Sequence, residues 1–211
     1  MVDLPHTTAA PAPGLLDHPL RLRWSLPALV LLYALPALAA WLGDGFYVGL
    51  ASRILIFALA ATSLNLILGF GGMVSFGHAA FVGIGAYSVA ILMQSGVMSA
   101  WIAWPAAMLI SALAALIVGA ISLRTQGVYF IMITLAFAQM LYYLVVSLRA
   151  YGGDDGMSLY QRSSLSGFDL SNDRTFYYLT LVLLVAAIVG VSRLLNARFG
   201  HVLQAIRENE V

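Results

Sequence analysis

Asn65 to Tyr87 read NLILGFGGMVSFGHAAFVGIGAY, and this stretch decides how the rest of the chain is interpreted. It sets an Asn, several glycines, a Ser and a His within sequence that is otherwise apolar enough for a lipid bilayer. Hydrocarbon offers no partner to an exposed backbone N–H or C=O group, so loosened backbone persists there only where protein covers it or a watery cavity meets it. Polar side chains at that depth face a bundle interior or a pathway. The stretch therefore predicts a polytopic membrane protein with a route or a hinge built into one helix.

Composition supports the membrane class independently. Of the 211 residues, 62% are hydrophobic and only 9% are charged, whereas a soluble domain carries about 25% charged residues. Too little polar surface remains to cover a water-soluble globule. The net charge of +1 gives no clustered basic face, so no nucleic-acid partner is expected.

Two missing residue types exclude several kinds of chemistry. The chain has no cysteine, which excludes disulfides, thiolate metal sites and cysteine nucleophiles. All ten basic residues are Arg, and the Lys that a nucleotide-binding P-loop or a Schiff base requires is absent. No cofactor is expected, no metal is expected, and any ATP used with this chain must be bound by another polypeptide.

Six apolar stretches predict an all-α bundle of about six membrane helices, because each approaches the ~20 residues needed to cross a bilayer. They cover approximately 24–42, 46–68, 74–93, 101–123, 127–148 and 176–195. The third is the shortest, and we expect it to begin as a broken or re-entrant piece around Gly69–Gly72. Its residues Ser75, Ala79 and Gly83, continued by Ala86 and Ala90, would form a small stripe for close helix packing.

The first stretch has two interpretations. Ala37-Leu38-Ala39 resembles a signal-peptide cleavage site, but the stretch is longer than the usual apolar region, which favours a retained helix. We expect Pro27 and Pro36 to bend this helix and free carbonyls that neighbouring helices cover.

Arginine placement predicts the orientation. Residues 1–23 read as a flexible cytoplasmic tail and 24–195 as the membrane domain, with 149–175 as a periplasmic loop and 196–211 as a cytoplasmic segment. This arrangement puts most arginines inside, as the positive-inside rule requires. The loop contains YGGDDGMS, which is typical of a solvated turn, while its length is typical of a functional loop where a ligand or partner docks.

Polar residues inside the spans are the candidate functional residues. Asn65, Ser75, His78 and Gln139 can act as hydrogen-bonding contacts between helices or can line a substrate path. Their functional interpretation includes three glycines of the broken segment as gating positions: Gly71, Gly72 and Gly77. The spacing of the histidines excludes a metal site of the H-E-x-x-H kind. No catalytic residue is expected, and an intramembrane enzyme is disfavoured because no predicted span contains a deep acid.

Three segments together resemble the permease subunit of a branched-chain amino-acid ABC importer, of the M type. They are the opening stretch, RTQGVYFIMITLAFAQM (Arg124–Met140) and the C-terminal RFGHVLQAIRENEV. The resemblance implies a second permease subunit, two cytoplasmic ATP-binding subunits and an extracytoplasmic binding protein that delivers leucine, isoleucine or valine. It implies a multi-pass protein of the bacterial inner membrane.

The resemblance also assigns a role to the C-terminal segment. Arg207, Glu208, Asn209 and Glu210 match the start of the cytoplasmic loop that docks on the ATPase. Family members continue past this point, so the resemblance implies a truncated permease. The alternatives left open are a permease of a urea or amide importer and, from another class, a passive channel or membrane scaffold.

Overall fold

The chain folds as a set of apolar helices in the computed structural model. The structure describes residues 22–41, 45–159, 162–165, 170–198, 200 and 202. Six α-helices are found in this part of the chain: α1 (Leu22–Trp41), α2 (Phe46–Asn65), α3 (His78–Gln94), α4 (Ala100–Ser122), α5 (Val128–Ser147) and α6 (Asp173–Leu195). A π-helical turn, Leu66–Phe70, extends α2, and two short 3₁₀ turns, Arg149–Tyr151 and Gly153–Asp155, follow α5.

The all-α membrane bundle predicted from the sequence is confirmed. Among the described residues, four helices are long and apolar enough to cross a bilayer, and two apolar helices are shorter. The four are Phe46–Phe70 (α2 with the π turn), Ala100–Ser122, Val128–Ser147 and Asp173–Leu195. The shorter two are Leu26–Ala39, which is part of α1, and His78–Gln94. The third predicted span is the one that differs most, because its helix begins at His78 rather than at residue 74.

Local sequence explains where the helices begin and end. At the end of α3, Gly96 adopts φ +92°, its N–H donates to Met93 O, and Val97 N–H donates to Leu92 O. This is a Schellman termination, which needs a left-handed residue that Gly provides without steric cost. Asn172 caps the start of α6 by accepting from the Arg174 N–H at 3.0 Å.

The helices pack in two groups. In one, α2 lies along α6 and α1 contacts both. Their shared core contains buried side chains from all three helices: Ala39, Val48, Leu55, Tyr177, Leu181 and Leu184. In the other, α3 lies along α4, and α5 contacts each of them more sparingly. The chain passes from the first group to the second through residues 71–77, which lie outside regular helix.

Pro36 frees a carbonyl that a neighbouring helix covers, as expected. Pro36 has no N–H, so the carbonyl of Leu32, one turn earlier, lacks its helical donor. The Tyr177 hydroxyl of α6 donates to that oxygen at 2.7 Å. Tyr177 and Pro36 are both almost fully buried, so this hydrogen bond satisfies a carbonyl that water cannot reach.

The loop after α5 is docked on the bundle rather than freely solvated. Ser164 pairs with the turn between α3 and α4: its N–H donates to Met98 O and its carbonyl accepts from Ala100 N–H, each at 2.8 Å. Arg162 ties the loop to α6, with Nη2 2.7 Å from Asp173 Oδ1 and the guanidinium 4.5 Å from the Phe176 ring centroid. The loop therefore connects both packing groups at one end of the molecule.

The small-residue stripe predicted on α3 does not form the contact with α4. Ser75 precedes the helix, Ala79 is exposed, and a Cβ at Gly83 would meet no atom within 4 Å. The contact uses another face: the Ser111 hydroxyl of α4 donates to Phe81 O at 3.4 Å, and a Cβ at Gly85 would lie 3.3 Å from Ser111 Oγ. The structure packs α3 on α4 through Phe81 and Gly85, while within the predicted stripe Ala90 is buried and Ala79 and Ala86 are exposed.

Candidate functional site

The site begins where α2 loses its α-helical hydrogen bonding. Leu66–Phe70 form a π turn, and Gly71 N–H donates to Leu66 O at 3.1 Å, five residues back. Met73 N–H reaches Ile67 O at 3.3 Å, six residues back. Single π turns inside helices often mark functional positions. Here the turn widens α2 just before the chain leaves it.

Asn65 lies immediately before the π turn, with its side chain against Gly69. A Cβ at Gly69 would lie only 2.5 Å from Asn65 Oδ1, so the backbone and the carboxamide can approach this closely only because Gly69 has no side chain. The Asn65 side chain is nevertheless exposed on the surface of this chain. A carboxamide exposed within an apolar span is satisfied by a protein or water partner outside the described residues.

Gly71 and Gly72 reverse the direction of the chain after the π turn. A Cβ at Gly71 would lie 2.5 Å from Ile67 O, which excludes a side chain at that position. Gly72 has φ +67°, a left-handed conformation that costs other residues roughly 1–2 kcal/mol. Both glycines therefore serve the break itself.

Ser75 and Gly77 set the start of α3. Ser75 lies in irregular backbone before the helix, which corrects the helical placement expected from sequence, and its Oγ accepts from the Gly77 N–H at 3.2 Å. Gly77 is buried against α5, where an added Cβ would lie 3.1 Å from Thr134 O. Thr134 is itself buried, so the return of the chain is packed tightly onto α5.

His78, the first residue of α3, hydrogen-bonds back to α2. Its Nε2 lies 2.8 Å from Ser63 Oγ. The Ser63 hydroxyl also lies 3.2 Å from Ala60 O, to which it donates. A hydroxyl has one proton, so when Ser63 donates to Ala60 O it accepts from His78 Nε2–H, and in the other tautomer of His78 it donates to Nε2 instead. The pair joins the two sides of the break and is exposed at the surface of this chain.

These contacts place the start of α3 part-way along α2 and α5 rather than at their ends. At 1.5 Å rise per residue, Ser63 lies roughly 10 Å from the end of the extended α2 at Phe70. Thr134 lies roughly 9 Å into α5 from Val128 on the same measure. The chain between residues 71 and 77 thus doubles back along α2 to the level of Ser63 and Thr134 before α3 starts.

The arrangement offers polar contacts next to irregular backbone. In the described ranges, no group of three His, Cys, Asp or Glu residues could hold a metal ion. The polar groups are the exposed Asn65 carboxamide, the exposed Ser63 hydroxyl and the half-buried His78 imidazole. Such groups can bind and release a polar solute or a neighbouring helix by exchanging hydrogen bonds.

The structure brings together six of the predicted residues and separates the others. Asn65, Gly71, Gly72, Ser75, Gly77 and His78 lie along the break. Gln139 is on α5, roughly 140° around the helix from Thr134 at 100° per residue, so it is directed away from this segment. The predicted coupling residues lie outside the described part of the chain: Arg207, Glu208, Asn209 and Glu210.

Sequence reasoning missed Ser63 and Thr134. Ser63 sits two residues before Asn65, and its polarity was the available signal. Thr134 carries no such signal, since a Thr in an apolar span usually bonds its own helix, as its 3.0 Å bond to Ile131 O illustrates.

These features define a multi-pass helical membrane protein whose third helix starts part-way along the second after a glycine-rich break. Residues 46–211 match the family model described as branched-chain amino acid transport system / permease component. The chain belongs to that permease family, and the resemblance seen in the sequence is confirmed.

Two curated relatives share the same printed name, high-affinity branched-chain amino acid transport system permease protein LivM. The protein of Salmonella typhimurium strain LT2 is 28% identical over 188 residues, covering 78% of this chain and 44% of the relative. The protein of Escherichia coli strain K12 is 27% identical over the same length and coverage. The chain thus spans less than half the length of these relatives. No solved structure matches.

Proposed function

We propose that this chain is the permease subunit of an ABC importer for branched-chain amino acids in the bacterial inner membrane. The relatives' printed names support the substrate class. The observation that carries the mechanism is the Ser63–His78 pair. It joins two apolar helices across the break and lies at the surface of the described part of the chain. Polar groups in that situation face a partner subunit or a watery path.

The path would run beside the break. Asn65, Ser75 and His78 would provide the few polar contacts, while the surrounding Leu, Ile, Val and Phe side chains would accommodate a branched aliphatic group. Gly71, Gly72 and Gly77 would let the backbone move, because they lack side chains that would hold its conformation. Exchange of the Ser63–His78 hydrogen bond would then accompany opening and closing.

The driving energy would come from other subunits. The chain has no Lys and therefore no P-loop of its own. Two cytoplasmic ATP-binding subunits would dock on the segment that starts at Arg207–Glu210. A second permease subunit would complete the path, and an extracytoplasmic binding protein would deliver substrate. The loop containing Arg162 and Ser164 would be on that outer side, with both termini in the cytoplasm.

Uptake in the cells that encode this chain tests the proposal. Deletion of the gene should abolish high-affinity uptake of labelled leucine while leaving urea uptake unchanged, and the wild-type gene should restore it. Uptake should depend on ATP hydrolysis by a co-purified subunit. Normal leucine uptake in the deletion strain would refute the assignment. Loss of urea uptake instead would identify an amide importer, and ATP-independent flux would identify a channel.

Rescue by variants tests the role of the hydrogen bond. Ser63→Ala removes the partner of His78 and should lower the maximal rate of leucine uptake several-fold. Ser63→Thr keeps the hydroxyl and should retain most of it. Ser88→Ala is a matched control, because the Ser88 hydroxyl bonds only Ile84 O of its own helix, at 2.7 Å. Equal uptake by the Ser63→Ala and wild-type proteins, at equal membrane levels, would contradict the role.

A further inference from the structure

Residues 162–165 of the loop after α5 contact both helix groups at one end of the molecule, and we call them the strap. The main helix contacts lie within each group rather than between the two. The chain itself passes between the groups at the break, residues 71–77, and again through this loop. Any separation of the groups at this end must therefore pull on one of the two attachments of the strap.

The attachment of the strap to α3 and α4 uses backbone hydrogen bonds and buried residues. Ser164 N–H donates to Met98 O, and Ser164 O accepts from Ala100 N–H, both at 2.8 Å. Ala100 is fully buried, and the hydroxyl of the buried Ser163 lies 3.5 Å from Met93 Sδ. Separation here would leave buried backbone groups without partners, which is strongly unfavourable.

The attachment of the strap toward α6 depends on the exposed side chain of Arg162. Its Nη2 lies 2.7 Å from Asp173 Oδ1, and its Nη1 donates to Leu170 O at 3.0 Å, just before α6. The guanidinium lies 4.5 Å from the Phe176 ring centroid. The side chains of the ion pair are 40% and 54% exposed, so water can replace each partner. A pair this exposed shifts an equilibrium by about fivefold at most.

We propose that Arg162 is a latch that releases α6 when the two helix groups separate, while the strap stays bound to the turn between α3 and α4. The unequal strength of the two attachments determines which one opens. The break at residues 71–77 remains as the connection about which the groups move. In the importer proposed above, and resting on that function, the latch closes the end of the molecule that carries the loop and opens in every transport cycle.

Two reversible cross-links distinguish a latch from a fixed clamp. The chain has no cysteine, so cysteine pairs can be introduced without removing a native thiol. Arg162→Cys with Asp173→Cys joins the strap to α6 when a short, reducible bis-thiosulfonate reagent bridges the thiols. Leucine uptake should be lost on bridging and restored by dithiothreitol.

The matched control bridges the attachment that should stay closed. Ser99 and Ser164 face each other in an isolated parallel bridge. Joining Ser99→Cys to Ser164→Cys with the same reagent should leave uptake unchanged. Each pair is compared with its own unbridged protein, so a loss caused by the substitutions themselves does not affect the result.

A second readout depends on neither substrate nor partner subunits. Phe176→Cys puts a thiol next to the Arg162 guanidinium, and Met93→Cys puts one next to Ser163. Asp173→Asn removes the ion pair without shortening Arg162. In isolated membranes it should raise the rate at which an uncharged maleimide labels position 176 by up to about fivefold, and high salt should act in the same direction. Labelling at position 93 should stay slow under every condition.

Several results would overturn the latch. They are unchanged uptake after bridging of positions 162 and 173, loss of uptake after bridging of positions 99 and 164, labelling at position 176 that responds to neither Asp173→Asn nor salt, and labelling at position 93 that rises in parallel with position 176. An unaltered protein that imports no leucine would refute the proposed function instead, and the maleimide rates would still decide the latch.

Discussion

The hydrogen bond between Tyr177 and Leu32 gives a quantitative test of how the α1, α2 and α6 group is held together. Tyr177→Phe removes the hydroxyl that lies 2.7 Å from Leu32 O. Pro36 cannot donate to that carbonyl, so the substitution leaves a buried acceptor without a partner. Because an unsatisfied buried acceptor costs about 1–3 kcal/mol, we expect the free energy of unfolding to fall by about 1–2 kcal/mol.

A double-mutant cycle isolates the reason for this loss. Pro36→Ala restores an N–H that can donate to Leu32 O within α1. In that background, Tyr177→Phe should cost only a few tenths of a kcal/mol. The coupling between the two substitutions should be about 1 kcal/mol, within the range seen for residues that share one interaction. Any cavity left by the proline ring appears in both arms of the cycle and cancels.

The assay is unfolding of the purified chain by SDS in mixed micelles, followed by circular dichroism. Tyr178→Phe is the matched control. The Tyr178 hydroxyl lies 3.4 Å from Tyr33 O, a long contact to a carbonyl whose helical donor at Ala37 is intact. It should cost less than about 0.5 kcal/mol. Equal costs for Tyr177→Phe with and without Pro36 would refute the reasoning.

Four further substitutions test the break, α3 and the loop after α5 by the same unfolding assay. Gly72→Ala should cost about 1–2 kcal/mol because φ is +67°, whereas Gly83→Ala, where an added Cβ meets no atom within 4 Å, should be neutral or stabilising. Gly77→Val should cost at least as much as Gly72→Ala, since its side chain would collide with α5; a neutral result would show that the break is loosely packed. Arg162→Ala should cost less than about 1 kcal/mol because its ion pair with Asp173 is half-exposed, and 1 M salt should shrink the difference.

Helix positions could be predicted from sequence because hydrophobic length reports them directly. The predicted membrane spans 101–123 and 127–148 correspond to α4 and α5. The ends of both helices lie within one residue of the predicted ends. The break was predictable as well, because glycines clustered at membrane depth indicate backbone that departs from regular helix. Its extent was not: Ser75 was expected on the helix, but the left-handed turn at Gly72 delays α3 until His78.

Contacts across the break and between distant segments could not be predicted. Ser63 and His78 are separated by 15 positions, and their meeting depends on how far the chain doubles back. Pro36 indicated that a carbonyl would need a partner, but nothing near it in the sequence pointed to Tyr177, 145 positions from Leu32. The pairing of Ser164 with Met98 and Ala100 uses backbone groups, which every residue has, so no sequence pattern marks it.

The central claim is that the glycine-rich break borders a watery path within the bilayer. A membrane-impermeant, charged thiol reagent applied to membranes that contain the assembled importer tests it most directly. Ser75→Cys, in the irregular segment, should react, whereas Leu113→Cys, which is 61% exposed in the middle of α4, should stay unlabelled in lipid. An unreactive thiol at position 75, or equal labelling at both positions, would contradict the account.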